Sequence, residues 1–455
     1  MAPIDRMVVL MLENQSFDRL IGGLAPRISG LDGVDPRAPL DNPDWPSGPP
    51  IFQGPSQSRT IANDPGHELD NVLRQIDHGS MAGFVSDFAQ AYPRSSAAER
   101  AEIMGWYPPG FLPALHMLAE QFVVADHWHS SVPGPTWPNR LFALSGSSLG
   151  DTDMPSGLFH PDLHLYDQRT LFDELNAAGV AWRIYYGDFP QSLVLTHQLE
   201  PENLARYRSL SRFAADVAAG DLPPFVFIEP AYFEPEENDQ HPPQDVLRGD
   251  VLIADIYNTL LAAPALFART LLIILHDEHG GFFDHVSPPA TIAPDDHVSN
   301  FAFTELGVRV PAVFVAPLLE QGVIGELFDH TSLIRAACDL WGVAPLGRRA
   351  AAANSPLSAL AWGDTARSSL SPVLRAAISP PTPRVSLTSM AASLFAFSQH
   401  LESLVTDAAT RDRLARRAVD AMQGGEAAGG LARARLAAFL DRYGLSESRS
   451  DPRSG

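Results

Sequence analysis

The run His276-Asp277-Glu278-His279-Gly280-Gly281-Phe282-Phe283-Asp284-His285 packs three imidazoles and three carboxylates into ten residues. It follows directly on Thr270-Leu271-Leu272-Ile273-Ile274-Leu275, which has the length and composition of a buried strand. Carboxylates at the end of a buried strand are costly unless another charge sits beside them. Carboxylate plus histidine at such an end suggests a metal-assisted hydrolytic site.

Two other apolar runs stop in the same manner. Met7 to Leu12 ends at Glu13-Asn14, and Phe122 to Ala125 ends at Asp126, shortly before Pro135-Thr136-Trp137-Pro138-Asn139-Arg140. We place Thr136 as the N-cap of a helix with Pro138 in its first turn. A hydroxyl there faces unpaired backbone N–H groups that suit a phosphate oxygen. Glu13, Asn14, Asp277 and Glu278 offer hard oxygen ligands, which suit Ca²⁺, Mg²⁺ or Mn²⁺ better than zinc. A cation bound to the same hydroxyl would make it a nucleophile. His67, in Asp64-Pro65-Gly66-His67-Glu68, and His241, in Asp239-Gln240-His241-Pro242-Pro243, lie in segments too polar for a core. Each faces either solvent or the crevice. Asp284-His285 reads either as a turn start or as a pair behind the site.

These groups need a frame that gathers strand ends. Further buried runs occur at Ala181 to Tyr186, Phe225 to Ile228 and Val310 to Val315. Helical patterns occupy Phe111 to Glu120, Leu171 to Ala178, Asp250 to Ala263 and Ser332 to Trp341. Strands alternating with helices, apolar on both faces, predict an α/β fold with a mostly parallel central sheet sandwiched by helices. Strand ends converge on one crevice in such a sheet. The Pro- and Gly-rich segment 22–65 is expected to be a long irregular loop, of a kind that is usually functional or mobile in compact domains. We divide the chain into an α/β catalytic domain (1–346), a linker-like stretch (347–381), a short helical C-terminal extension (382–443) and a disordered tail (444–455). Within the extension, breaks are expected at Gly424-Gly425 and Gly429-Gly430.

Composition narrows the chemistry. A net charge of −22 over 455 residues argues against a nucleic-acid partner. The chain has no lysine, every basic residue being arginine. That excludes a Walker-type phosphate loop, Schiff-base chemistry and the usual kinase. Cys338, the one cysteine, lies in a helical pattern and reads as core. No transmembrane segment is visible, and the residues before the first strand show no charged n-region and apolar h-region. As written the chain is expected to be cytoplasmic; with a leader removed, secreted or periplasmic.

Five motifs together resemble the phosphoesterase family of non-specific phospholipases C and related acid phosphatases, in the alkaline-phosphatase-like superfamily. They are Glu13-Asn14-Gln15-Ser16-Phe17-Asp18, Asp64-Pro65-Gly66-His67, Thr136-Trp137-Pro138-Asn139-Arg140, His241-Pro242-Pro243 with Asp245-Val246, and Asp277 through Val286. The resemblance covers residues 5 to about 345 and implies an alkaline-phosphatase-like fold. It implies Thr136 as nucleophile, where some phosphatase members use serine. Glu13, Asn14, Asp277 and Glu278, with Thr136, would bind one divalent metal. His67 and His241 would contact the phosphate or protonate the leaving alcohol. Asn139, Arg140, His279, Asp284 and His285 would support, Asn139 by fixing the Thr136 turn and Arg140 by pairing with acidic neighbours. The expected activity is that of a hydrolase acting on ester bonds: phospholipase C-type cleavage of a phosphodiester or phospholipid through a phospho-threonine. The alternatives are an acid phosphatase acting on monoesters and a metal- or phosphate-binding protein without turnover. Phe282-Phe283, Trp137 and Trp106-Tyr107 are candidates to line the space for a second ester substituent. No Cys-x-Pro-x-Arg or Ser-x-Pro-x-Arg sulfatase pattern occurs.

Overall fold

Six consecutive apolar side chains, Met7 to Leu12, make strand β1 (Arg6–Leu12), and all six are buried. Such a strand must be covered on both faces, so it occupies the interior of a sheet. The computed structural model describes residues 2–154, 166–380, 387–421 and 425–445. Its central sheet has eight strands. After β1 come β2 (Val123–Ala125), β3 (Trp182–Tyr186), β4 (Tyr207–Ser209) and β5 (Phe225–Glu229). They are followed by β6 (Thr270–His276), β7 (Ala312–Val315) and β8 (Gly322–Ile324). The spatial order is β8-β2-β7-β6-β1-β5-β3-β4. β1 lies between β6 and β5, parallel to both, with Leu12 level with His276.

Seven strands run in one direction, and β7 alone runs against its neighbours β6 and β2. The run Val310 to Val315 has the same apolar pattern as the others, and nothing in it signals the change of direction. The reason lies in the connection. Residues 277–311 contain no helix, so the chain never crosses back to the other end of the sheet as a parallel partner requires. It re-enters from the same end, bringing Arg309 back beside the segment it has just left. The two outermost strands, β4 and β8, are short and only partly buried, and no apolar run announces them.

Helices cover the sheet. Those that matter below are α1 (Leu69–Ile76), α2 (Thr136–Ser145), α3 (Leu247–Leu261) and α4 (Thr331–Trp341). The extension adds α5 (Ser389–Ser403), α6 (Ala408–Ala421) and α7 (Gly425–Asp441). Helix α7 packs on both α5 and α6. It runs unbroken through Gly429-Gly430, against expectation, because a Cβ on Gly429 would lie 2.6 Å from the Phe233 side chain. That glycine permits close approach and does not end the helix.

The stretch 347–381 is less like a linker than its composition suggests. It begins with two short helices, Gly347–Ala352 and Pro356–Ala359, and Arg349 is buried with its guanidinium over the Phe142 ring. Residues 361–380 have no regular structure. The 22–65 segment holds short 3₁₀ and two-residue strand pieces in otherwise irregular chain. The tail beyond residue 445 lies outside the described residues. Among the described residues no helix is long and apolar enough to cross a membrane.

Candidate active site

Glu13, Asn14, Asp277 and Glu278 leave the ends of β1 and β6 side by side, each with no solvent exposure. The two chain segments are stitched together: the Asn14 N–H donates to Asp277 Oδ1 (3.3 Å), and the Gln15 N–H donates to the Glu278 carbonyl (3.0 Å). This close approach sets the backbone chemistry. Asn14 sits at φ 55°, a left-handed conformation that asparagine tolerates. Gly280 (φ 65°) has its Cα against the Asn14 carbonyl, where a methyl group would collide with the oxygen. Gly280→Ala is therefore expected to cost on the order of 3 kcal/mol, from strain plus clash. A denaturant midpoint within error of wild type would refute it.

Asp239 joins these carboxylates, also fully buried, with its carbonyl accepting the Glu13 N–H at 2.8 Å. Against the four carboxylates stands Arg140. Its Nε donates to Asp277 Oδ2 (2.9 Å), one terminal nitrogen lies 3.3 Å from Glu13 Oε1, and the other donates to the Tyr232 hydroxyl (2.9 Å). One guanidinium does not balance the cluster. Burial, aided by Asp277, Asp239 and Glu278, pushes the Glu13 carboxyl well above its usual pKa, although Arg140 opposes this. Burial likewise raises Asp239 and Asp277, and holds Glu278 at about 7.

Several of these oxygens receive no hydrogen bond: both of Glu13, Oδ2 of Asp239 and Oε1 of Glu278. Unsatisfied buried carboxylate oxygens are rare and mark a missing positive partner. The donors are all hard oxygens, so the residues fit a Ca²⁺, Mg²⁺ or Mn²⁺ ion. The acidic set does not itself converge as tightly as the trio Asp64, His67 and His241, whose ligand atoms lie within 4.8 Å of one another.

Thr136 differs in detail from its predicted place. The N-cap of α2 is Pro135, in extended conformation, and Thr136 is the first helical residue, making no side-chain cap. Its hydroxyl is consequently not spent on the helix. The nearest polar partner is Asn14 Oδ1, at 3.5 Å, so the side chain is turned toward the strand ends. Asn139 holds the turn in front of it. Its amide nitrogen donates to the carbonyls of Val132, Gly134 and Pro135, and its oxygen accepts the Val132 N–H.

The two histidines both come to the crevice. The Asn14 amide nitrogen lies 3.4 Å from His67 Nε2, while His67 Nδ1 faces the Pro65 carbonyl at 2.8 Å. Burial alone would discharge His67; the charges of Glu278, Asp64 and Glu68 overcome it and hold its pKa at about 9. The His67 and His241 rings meet edge to face, centroids 5.5 Å apart. Asp64 lies beside both, 4.0 Å from His67 Nδ1 and 3.9 Å from His241 Nε2. Its side chain is 30% exposed, which marks the mouth of an otherwise closed site.

The remaining supporting residues separate into two groups. His279 is wholly buried, pushed down to about 3 by burial and bonded through Nε2 to Gln75 of α1 (2.8 Å), with Nδ1 3.4 Å from Glu278. Asp284 and His285 instead belong to an ion-pair network with Arg309, Asp18 and Asp32. Burial disfavours charge on His285, but hydrogen bonding to Asp18 and the nearby carboxylates hold its pKa at about 9. Arg309 is the central cation of that cluster, and it ties the re-entry into β7 to the loop after β6.

The aromatic lining expected for a second ester substituent does not materialise at the predicted places. Phe282 lies under the Arg19 guanidinium, Phe283 packs edge-on to Phe84, and Tyr107 stacks on Phe111. Trp106 is buried too, and Trp137 turns its indole N–H to Met390 of α5 at 3.2 Å. Core packing claims all of them. Conversely, Asp239, Tyr232 and His330 were missed. The Nε2 of His330 holds the Asp277 carbonyl at 2.6 Å. Only Asp239 carried a usable signal, standing two residues before His241.

The Phosphoesterase family matches residues 4–344. Non-specific phospholipase C3 of Arabidopsis thaliana is 33% identical over 372 residues, 73% of this chain and 68% of that protein. Non-specific phospholipase C6 of the same plant is 34% identical, with 71% of this chain and 63% of that protein covered. Phospholipase C A of Mycobacterium tuberculosis (strain ATCC 25618 / H37Rv) is 30% identical over 75% of this chain and 73% of its own length. Among solved structures, an alkaline phosphatase superfamily protein from Vibrio parahaemolyticus superposes with a TM-score of 0.31 at 12% identity, covering 70% of this chain and 75% of that one. The match runs from the start of β1 to just beyond α4 and takes in every strand of the sheet, and the chain belongs to the phosphoesterase family.

Proposed function

We propose that the protein is a phosphodiester hydrolase of the phospholipase C type, working through a phospho-threonine on Thr136. The observation that carries this reading is the Thr136 hydroxyl: buried, free of the helix cap, and turned to Asn14, the neighbour of Glu13, whose carboxylate oxygens have no hydrogen-bond partner. A divalent cation held by Glu13, Asn14, Asp277 and Glu278 beside Thr136 would lower the hydroxyl's pKa and offset phosphate charge. Thr136 Oγ1 enters the cycle as the alkoxide, its proton already lost to solvent, and attacks phosphorus; the P–O bond to the leaving alcohol breaks as the new O–P bond forms. His67, charged at neutral pH, neutralises a phosphoryl oxygen. His241 gives its Nε2 proton to the departing alcohol oxygen. The resulting neutral imidazole then takes a proton from water, which attacks phosphorus and frees Thr136. Asn14 lies between Thr136 and His67, its amide oxygen accepting the Thr136 hydroxyl and its amide nitrogen 3.4 Å from His67 Nε2.

The names of the plant and mycobacterial relatives support a phospholipid as the diester. A phosphomonoesterase is the second reading, and the closure of the site favours it: Thr136, Glu13, Asn14 and His241 have no exposure, leaving little visible room for a second substituent. Comparing p-nitrophenylphosphorylcholine with p-nitrophenyl phosphate, with and without chelator, separates the two. The diester is expected to turn over at least about tenfold faster in kcat/KM, a difference of about 1.4 kcal/mol. A monoester preference would overturn the diester reading, and chelator-insensitive turnover would overturn the metal-assisted one.

A further inference from the structure

We propose that Ser389, supplied by the C-terminal extension, is a positioning residue for His241, holding the imidazole through the nitrogen that exchanges the leaving-group proton. The inference rests on the reading of His241 as the acid. It concerns a residue outside the 4–344 region through which the family is recognised.

His241 is wholly buried, and its Nδ1 lies 2.6 Å from the Pro242 carbonyl oxygen. A ring nitrogen facing a carbonyl oxygen must carry the hydrogen, so Nδ1–H is fixed as a donor. Proton exchange is thereby confined to Nε2. Two side chains stand near that atom: Ser389 Oγ at 3.3 Å and Asp64 Oδ2 at 3.9 Å. Only the serine suits both protonation states. Its hydroxyl accepts from Nε2–H when the ring is charged and donates to the Nε2 lone pair when it is neutral. In the forward step the Nε2–H bond breaks and an O–H bond forms on the leaving oxygen. Ser389 then turns its own O–H to the vacated lone pair, and it reverts to acceptor when water reprotonates the ring.

The extension is built to hold Ser389 in place. Ser389 is the first residue of α5, whose first turn is capped by Thr388 accepting the Ala391 N–H (3.2 Å). The next residue, Met390, is buried and accepts the Trp137 indole N–H, so the same helical turn touches the residue adjoining Thr136. Further along α5, Phe397 meets Phe189 edge to face. On α7, Arg433 lies 3.6 Å from Asp188, and Gly429 lies against Phe233. Asp188 in turn accepts the N–H groups of Tyr232 and Phe233, in the loop that leads to His241. The extension therefore grips both the turn that bears the nucleophile and the loop that bears the acid.

The test exploits the leaving group. p-Nitrophenolate departs without a proton, whereas the alkoxide of a soluble short-chain phosphatidylcholine requires one. On the full chain with divalent metal, His241→Ala should lower kcat about a hundredfold for the alkyl ester and far less for p-nitrophenylphosphorylcholine. Ser389→Ala should lower kcat for the alkyl ester about three- to tenfold at unchanged KM, with less than about a twofold change on the nitrophenyl ester. Ser389→Thr should restore the rate, and Ser389→Ala should add nothing in the His241→Ala background. Ser403→Ala, at the exposed far end of the same helix, should change neither rate. If His241→Ala shows the leaving-group dependence and Ser389→Ala does not, the positioning role is wrong. Equal losses on both substrates with a lowered thermal midpoint, unrescued by threonine, would make the contact merely structural and also overturn it. If His241→Ala itself lacks the dependence, the acid assignment is what fails, and the role of Ser389 falls with it.

Discussion

Thr136→Val is expected to lower turnover by about four orders of magnitude or more and to leave the fold intact. The size follows from the chemistry: without the hydroxyl no covalent phosphoryl intermediate can form, and among the described residues no other hydroxyl hydrogen-bonds to Asn14 to replace it. The small structural cost follows from the contacts. Thr136 caps nothing, and among the described residues its side chain makes one hydrogen bond, a long one to Asn14. Valine keeps the β-branched shape at the first position of α2, so the thermal change should stay within about 1.5 kcal/mol. Thr136→Ser retains the nucleophile and should keep most of the activity. Quenching the wild type during turnover of a choline phosphodiester should yield protein heavier by a phosphocholine group, the phosphoryl with its retained substituent, and neither Thr136→Val nor Thr136→Ala should show it. A valine variant turning over at near-normal rate would remove Thr136 from the mechanism.

The frame of this site was readable from the chain because its signals are local and strong. Strands β1, β5 and β6 carry apolar runs that give way to buried polar residues, Glu13, Glu229 and His276-Asp277, where the chemistry begins. What escaped was decided by distant contacts. Nothing in Val310 to Val315 says which way the strand runs; the missing helix between 277 and 311 decides that. Thr136 looks like a cap by residue type, yet the extended Pro135 takes the capping position and turns the hydroxyl loose. The aromatic residues near the strand ends were given a substrate role, but Arg19, Phe84, Phe111 and Met390 already occupy their faces and edges. Asp239 offers one signal, its place two residues before His241, which is faint in a loop so polar throughout. Ser389 was invisible altogether: it lies 148 residues from His241 in a segment whose composition speaks only of helix. Local periodicity reveals where strands end, and long-range packing decides which side chains meet there.

Removing divalent metal is expected to abolish turnover and to lower the thermal midpoint, with a loss that grows as pH rises. Four fully buried carboxylates, Glu13, Asp239, Asp277 and Glu278, face one guanidinium and the His67 imidazolium. Without a cation, burial makes these acids retain protons that the unfolded chain would release. Glu278, at about 7 against 4.5 for an ordinary glutamate, contributes stability below about pH 4.5 that is lost as pH climbs toward 7. His67 adds to the trend. Its charged form is favoured in the fold, so its contribution is complete below about pH 6.5 and disappears as pH passes about 9. Both effects weaken the metal-free protein in the same direction. A bound cation replaces the protons and removes most of that slope, since the carboxylates then remain charged at little cost. The gap between metal-loaded and chelated midpoints should therefore be small near pH 5 and largest near pH 9. At a metal concentration about a thousand times its Kd the stabilisation reaches about 4 kcal/mol. Calorimetry across that range, with Mg²⁺, Mn²⁺ or Ca²⁺ restored after chelation, reads the gap directly, and a gap that is absent or independent of pH would show that the carboxylates are balanced by Arg140 alone.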